Sequence, residues 1–439
     1  MKTKPIIITL LAVGLLVVCA LGILAGYAGF RWVGANSNGA PWLFGEGISA
    51  EVRETQTFEV SGPAELEVRT DAGDVTVIAA DVQDIEVEII KTAWAATQED
   101  AQAEAEAIRI TTQQQGNRLT LSYLAPARPQ VVRSNELNTV SFVIRVPVET
   151  AVSLTAGLGS LRLEGTTGNA ILNASFGAIQ VSGVTGALTV EGKLGDITVE
   201  SVDAGADGID LRATFGEITA TGLDGGSLVV GSNNGDITLR QVSFSGTMEV
   251  EEEFGDVLVE QAEASSLNIT NTNGDVDITD CLLSGDLEAI STFGTITVAG
   301  TSAENFTLET NNGDISLDGG SGMLAITNSF GDVTITGAGN VTLQITTMNG
   351  EIEFSGSLNG EVSHRVENSF GSIRLAIPAE SAFDVEFTTE FGEITSELPI
   401  TISGSLSTTE MSGSMNNCGP LLTVQTNNGD ISLTVLPGE

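Results

Sequence analysis

An acidic residue directly after glycine recurs along most of this chain: Asp196, Glu217, Asp236, Asp256, Asp275, Asp314, Asp332, Glu351, Glu393 and Asp430. Carboxylates held in a row are hard oxygen ligands, so Asp236, Asp256, Asp275, Asp314 and Asp332 are the candidates for a calcium site. Turn chemistry accounts for the same residues without a metal. Glycine supplies positive φ, and the aspartate after it accepts backbone amides. Two exposed carboxylates at about 4.8 Å repel by only about 0.9 kcal/mol in water, so the row is tolerable without a cation. The phrase also lacks the Gly-Gly-x-Gly-x-Asp pattern of calcium-binding β-rolls.

Other chemistry has little to stand on. His364 is the sole histidine, which excludes multi-histidine metal centres, and it sits in a strand-like stretch. Only two lysines follow residue 4, Lys91 and Lys193, and tryptophan and tyrosine are scarce. A carbohydrate-active enzyme needs clustered bases and an aromatic groove, so no catalytic or cofactor-binding residue is assigned and the chain reads as non-catalytic. The three cysteines make no disulfide framework. Cys281 and Cys418 are separated by roughly seven coils, or about 34 Å, too far to bridge.

The elements that must position the acids follow from the spacing. Phrases such as TFGEITA from Thr214, NNGDITL from Asn233, EFGDVLV from Glu253, TNGDVDI from Thr272 and SFGDVTI from Ser329 return about every 19 residues. Each unit reads Gly-acid-apolar-x-apolar, a loop, a second apolar-x-apolar pair, then Phe or Asn before the next Gly. Period-two alternation puts Ile237 and Leu239, or Ile315 and Leu317, on one face of a strand. Near-identical phrases at constant spacing favour a parallel β-solenoid of about 19–20 residues per coil over an antiparallel meander. Glycines from Gly159 to Gly429 count roughly 14 coils, about 65 Å of rod. Phe and Asn alternate before the glycine, which leaves a flattened 39-residue coil as the rival. The shorter coil is preferred, with the repeat phenylalanines expected in the core rather than as a ligand platform.

Residues 148–437 are thus expected to form the solenoid, with a polar loop insertion near residues 403–420 and a last coil ending at Leu436. Residues 51–147 read differently: alternating strands and an Ala/Glu-rich helix from an N-cap at Thr97 to about Ile108, a small α+β cap over the first coil. Pro5–Phe30 is an uncharged run of 26 residues, long enough to span a bilayer. Lys2 and Lys4 before it place the N-terminus in the cytoplasm and the bulk of the chain outside, so residues 1–33 form a single-pass transmembrane anchor and 34–50 a linker. A cleavable signal peptide is the alternative, with an unusually long apolar region.

Net charge is −41. That field repels nucleic acid and anionic headgroups and favours cationic partners.

The Phe-Gly-Asp/Asn-Gly-Asp beat, the segment KTAWAATQEDAQAEAEAI from Lys91 and the phrase SFVIRVPVETAVSLTAGLGSL from Ser141 resemble the DUF4097 family of adhesin-like bacterial envelope proteins. The resemblance spans about Glu51 to Leu436 and implies a parallel β-solenoid on the cell exterior, with no catalytic motif to carry over. No wall-sorting signal follows the LPGE near the C-terminus. The expected role is a membrane-anchored extracytoplasmic adhesin or envelope scaffold that meets a cell-surface or glycan ligand. The alternative is a regulatory ectodomain that senses envelope stress by binding cationic peptides or envelope components. The sequence assigns neither an oligomeric state nor one particular ligand.

Overall fold

The computed structural model describes residues 48–125, 137–416 and 418–436. The anchor expected at Pro5–Phe30 and nearly all of the linker lie outside them. Among the described residues no helix is long and apolar enough to cross a membrane.

The chain is an all-β parallel solenoid. Each unit contributes one strand before the Phe-Gly or Asn-Gly turn and one after it, and each strand pairs in parallel with its copy in the neighbouring coil. Before the turn, Leu267–Asn271 pairs with Leu287–Ser291, which pairs with Phe306–Thr310. After it, Val276–Thr279 pairs with Ile296–Ala299, which pairs with Ile315–Asp318. Asn273 lies beside Phe293, Phe293 beside Asn312, and Phe330 beside Asn349. The Phe/Asn alternation is therefore one column whose rungs are single 19-residue units. The 39-residue coil is not formed.

The inward residues make continuous columns. Leu267, Leu287, Phe306, Leu324 and Leu343 form one, and Val276, Ile296, Ile315 and Val333 another, all fully buried. Each coil gains burial only from the coils above and below, the energetic logic of a stacked repeat. A third, shorter side carries Val202, Leu223, Val242, Ala262 and Cys281 inward. Cys281 fills a core position there, while Cys418 is exposed, and both thiols are free.

Two columns of unusual backbone mark the corners. The glycine of the beat has φ of +136° at Gly216, +140° at Gly274 and +154° at Gly313. A Cβ on Gly274 would collide with the carbonyl oxygen of Gly255 directly below. Glycine is therefore required by conformation and by close approach together. At the far corner the chain turns through left-handed residues, glycine at Gly183, Gly222 and Gly300 but Ser201, Gln241, Gln261 and Asp280 at the rungs between, these four with φ of 54° to 56°.

At both ends the stacking order departs from sequence order. The coil Ala64–Ala80 sits between Thr150–Glu164 on one side and strands Arg118–Tyr123 and Thr139–Pro147 on the other. Antiparallel strands Ile85–Ala95 and Ile48–Phe58 extend that end, and the helix Gln98–Ala107, N-capped by Thr97, packs on them. At the C-terminal end the last coil in sequence, Leu421–Val435, lies between His364–Ile377 and Asp384–Ser396. The coil expected to end at Leu436 is formed, but it lies within the stack, and the outermost coil is Asp384–Ser396. Where the sequence reads as a polar loop, Ile400–Leu406 and Glu410–Met415 form an antiparallel hairpin on that outer coil. The parallel register of an inserted strand depends on contacts far apart in sequence, which local spacing cannot report.

Candidate functional site

The repeated Phe/Asn-Gly-acid edge brings three columns together along the rod. The acid column is held by backbone hydrogen bonds between coils. Asp236 Oδ1 accepts from the amide of Asp256 at 2.9 Å, Asp256 Oδ1 from Asp275 at 2.8 Å, and Asp275 Oδ1 from Thr295 at 2.8 Å. Asp314 Oδ1 accepts from Asp332 at 2.8 Å and Asp332 Oδ1 from Glu351 at 2.7 Å. The five calcium candidates thus share one edge but form two runs, separated by Thr295. One oxygen of each is committed to the next coil's amide. Among the described residues no three His, Cys, Asp or Glu side chains converge as a metal-binding group. The geometry matches turn chemistry, with the difference that each aspartate serves the next coil rather than its own.

The second column is apolar and faces outward. Phe176, Phe215, Phe254, Phe293, Phe330 and Phe370 are each about half exposed, and Phe391 is 69% exposed. The expectation that these phenylalanines fill the core is wrong. Strict alternation after Leu324 and Ile326 would turn Phe330 inward, but the strand bends first. Asn328 is buried, and its Oδ1 accepts from the amide of Phe330 at 3.1 Å while its Nδ2 donates to the carbonyls of Gly313 and Gly331. That side-chain turn reverses the direction of the next residue. Asn271 and Asn368 do the same for Asn273 and Phe370. The signal was present in the sequence as a polar residue two positions before Phe or Asn.

These residues lie in the third column, buried and polar: Ser232, Glu252, Asn271, Ser291, Thr310, Asn328, Thr347 and Asn368, of which Glu252 and the three asparagines make the turn to the residue two positions on. Glu252 is its one ionisable member, 3% exposed. Its Oε1 accepts from the amides of Glu253 and Phe254 at 3.1 and 3.0 Å, while its Oε2 has no partner. Burial raises its pKa to about 7, against the lowering effect of those two amides, with the Asp236 charge adding a small further rise.

Elsewhere the chemistry is structural. His364 replaces an apolar residue in the inward column between Leu343 and Leu422. Its Nδ1 accepts from the Leu343 amide at 3.2 Å, and Nε2 lies 2.9 Å from the Asn359 carbonyl, which fixes the Nε2–H tautomer. Its ring meets Phe383 edge-on at 5.2 Å, and burial pushes its pKa down. Both ring nitrogens are used, so the histidine is a core residue. Arg212 reaches Asp210 and Glu251 across Gly231, and Arg374 pairs with Glu351 and Glu353. These exposed pairs are each worth at most about 1 kcal/mol. A recess of about 610 Å³ on the third side is lined by Asp224, Ser243, Phe244, Glu263 and Leu282.

A solved structure of a "putative adhesin" from Bacteroides fragilis aligns over 57% of this chain and 97% of its own length, at 14% identity and a TM-score of 0.36. A "putative cell adhesion protein" from Clostridium sporogenes aligns over 88% of this chain and 99% of its own, at 9% identity and a TM-score of 0.18. No curated protein matches the chain. The family model for Toastrack DUF4097 matches twice, over residues 64–270 and 260–434, and together these spans cover most of the chain. The chain belongs to the DUF4097 Toastrack family.

Proposed function

We propose that this protein is a non-catalytic, adhesin-like binding surface of the cell envelope, tethered through Pro5–Phe30 with its solenoid on the extracytoplasmic side. The observation that carries the reading is the outward Phe/Asn-Gly-acid edge, presented by coil after coil along one line of the rod. An enzyme concentrates its chemistry in one pocket, whereas this edge repeats exposed Phe on alternate rungs and an acid after the glycine on most of them. His364, the only imidazole, has both nitrogens taken by backbone groups and is not free to shuttle protons.

Calcium has no required place in this reading, because each candidate carboxylate already holds an amide of the next coil. A sensing role for cationic envelope components is the second reading, favoured by the acid column beside the exposed phenylalanines. The test is adhesion of cells carrying the full chain, compared with cells lacking it, to immobilised glycans and host or bacterial surfaces. Protease accessibility on intact cells reports topology. Equal adhesion by the two strains, or a solenoid protected inside intact cells, would remove the proposal.

A further inference from the structure

Between Phe215 and Phe330 the edge has features that a partner must match. Phe215, Phe254, Phe293 and Phe330 stand on alternate rungs, with Asn234, Asn273 and Asn312 between them. Two rungs measure about 9.6 Å. Across the glycine from them run Glu217, Asp236, Asp256, Asp275, Asp314 and Asp332, all exposed. Among the described residues none of these six carboxylates takes part in an ion pair, although Arg212, Arg240 and Arg374 on the sheet faces all do. The stretch is an apolar ladder with an uncompensated anionic rail.

A second copy of the chain is a poor occupant, since it brings its own anionic rail against this one. An α-helix advances about 10.5 Å per heptad, close to the two-rung spacing. An apolar stripe on a helix laid along the rod therefore meets one phenylalanine per heptad. The mismatch of about 1 Å per step accumulates to about 3 Å over four phenylalanines, less than one helical turn. Basic residues beside such a stripe fall on the acid rail, where charge complementarity fixes which way the helix rolls.

We propose that the edge from Phe215 to Phe330 is a docking line for a cationic amphipathic helix of about 20 residues lying parallel to the rod axis. This inference rests on the binding-surface reading above and names its partner by chemistry.

The probe is a synthetic 20-residue peptide with one leucine stripe flanked by lysines, titrated against the full chain in zwitterionic nanodiscs. Controls are the same composition scrambled and the same stripe with glutamate for lysine. Phe254→Asn/Phe293→Asn places in the column the residue that already occupies its alternate rungs, so folding is preserved and is checked by circular dichroism. Asp256→Asn/Asp275→Asn keeps the oxygen that accepts the next coil's amide while removing charge. The expected result is binding of the lysine peptide only, weakened roughly tenfold by the phenylalanine pair. The aspartate pair weakens it as well and flattens its salt dependence. Equal binding by scrambled or acidic peptide, indifference to either double variant, or no binding overturns the proposal. Salt-independent binding of a neutral linear glycan, lost in the phenylalanine variant, would also overturn it while leaving the binding-surface reading intact. Adhesion of whole cells that survives both double variants separates failure of the docking line from failure of that wider reading.

Discussion

Replacing Glu252 by glutamine should stabilise the solenoid, and by an amount that grows with pH. In the buried polar column, Asn271, Asn328 and Asn368 each offer an oxygen to an amide two residues on and an N–H to a glycine carbonyl. Glu252 supplies the oxygen, to Phe254, but its second oxygen is a donor only when protonated. The folded pKa is raised from 4.5 to about 7, so between these values the folded state holds a proton that the unfolded chain has released. Stability linked to this group is fully present below about pH 4.5 and is lost as pH rises through about 7. A shift of that size corresponds to about 3 kcal/mol at the alkaline plateau. Glutamine carries its donor at every pH. The glutamine variant should therefore match the wild type near pH 4.5 and exceed it increasingly up to about pH 8. Because each coil is stabilised by its neighbours, the effect is best read locally, as amide hydrogen exchange of peptides spanning residues 247–259. Comparing the two proteins at the same pH cancels both intrinsic exchange rates and the general repulsion of the acidic surface. A difference that stays flat from pH 5 to 8, or a glutamine variant less protected at pH 8, refutes the assignment of Glu252 as a neutral member of the column.

Gly274→Ala should destabilise by at least about 2 kcal/mol, because the methyl meets the Gly255 carbonyl at a backbone conformation L-residues avoid; a thermal midpoint within a degree of wild type would contradict this. Gln261→Gly, at φ of 56°, should instead be neutral to stabilising by up to about 1 kcal/mol, since a left-handed non-glycine residue carries strain; clear destabilisation in chemical denaturation would show that the side chain matters more than the backbone. Asp275→Asn keeps the acceptor for the Thr295 amide and relieves charge along the row, so midpoints with and without the substitution should agree within about 0.5 kcal/mol, and excess calcium or chelator should leave both unchanged. A calcium-dependent rise abolished by Asp275→Asn would identify the row as a cation site.

Much of the architecture was written in local spacing. A 19-residue beat dictates stacking because each phrase buries its isoleucine and valine pair only against another copy, and the glycine is required wherever coils approach at the turn. The outward phenylalanines were not legible from alternation alone. Continuing the period two past Ile326 assigns Phe330 inward, and only the side-chain turn made by Asn328 reverses it. Glu252 was hidden among Glu251 and Glu253, three acids in a row of which only the middle one is buried. His364 looked featureless because its partners, Leu343 and Phe383, come from other coils. The order of coils at the two ends was likewise illegible, since parallel pairing is specified by whole-strand fit and leaves no local mark.

That order has a mechanical meaning. A solenoid whose coils follow one another can be peeled like thread from a spool, one rung at a time from a loose end. Here Leu421–Val435 is tucked beneath Asp384–Ser396, and Ala64–Ala80 beneath Arg118–Tyr123 and Thr139–Pro147. A pull on the C-terminal end therefore tugs strands that are gripped on both flanks, so several rungs must shear at once before any chain is let out, whereas at the other end Ile48–Phe58 is paired with Ile85–Ala95 alone among the described residues. The tucked C-terminal coil acts as the whipping that keeps a rope from fraying.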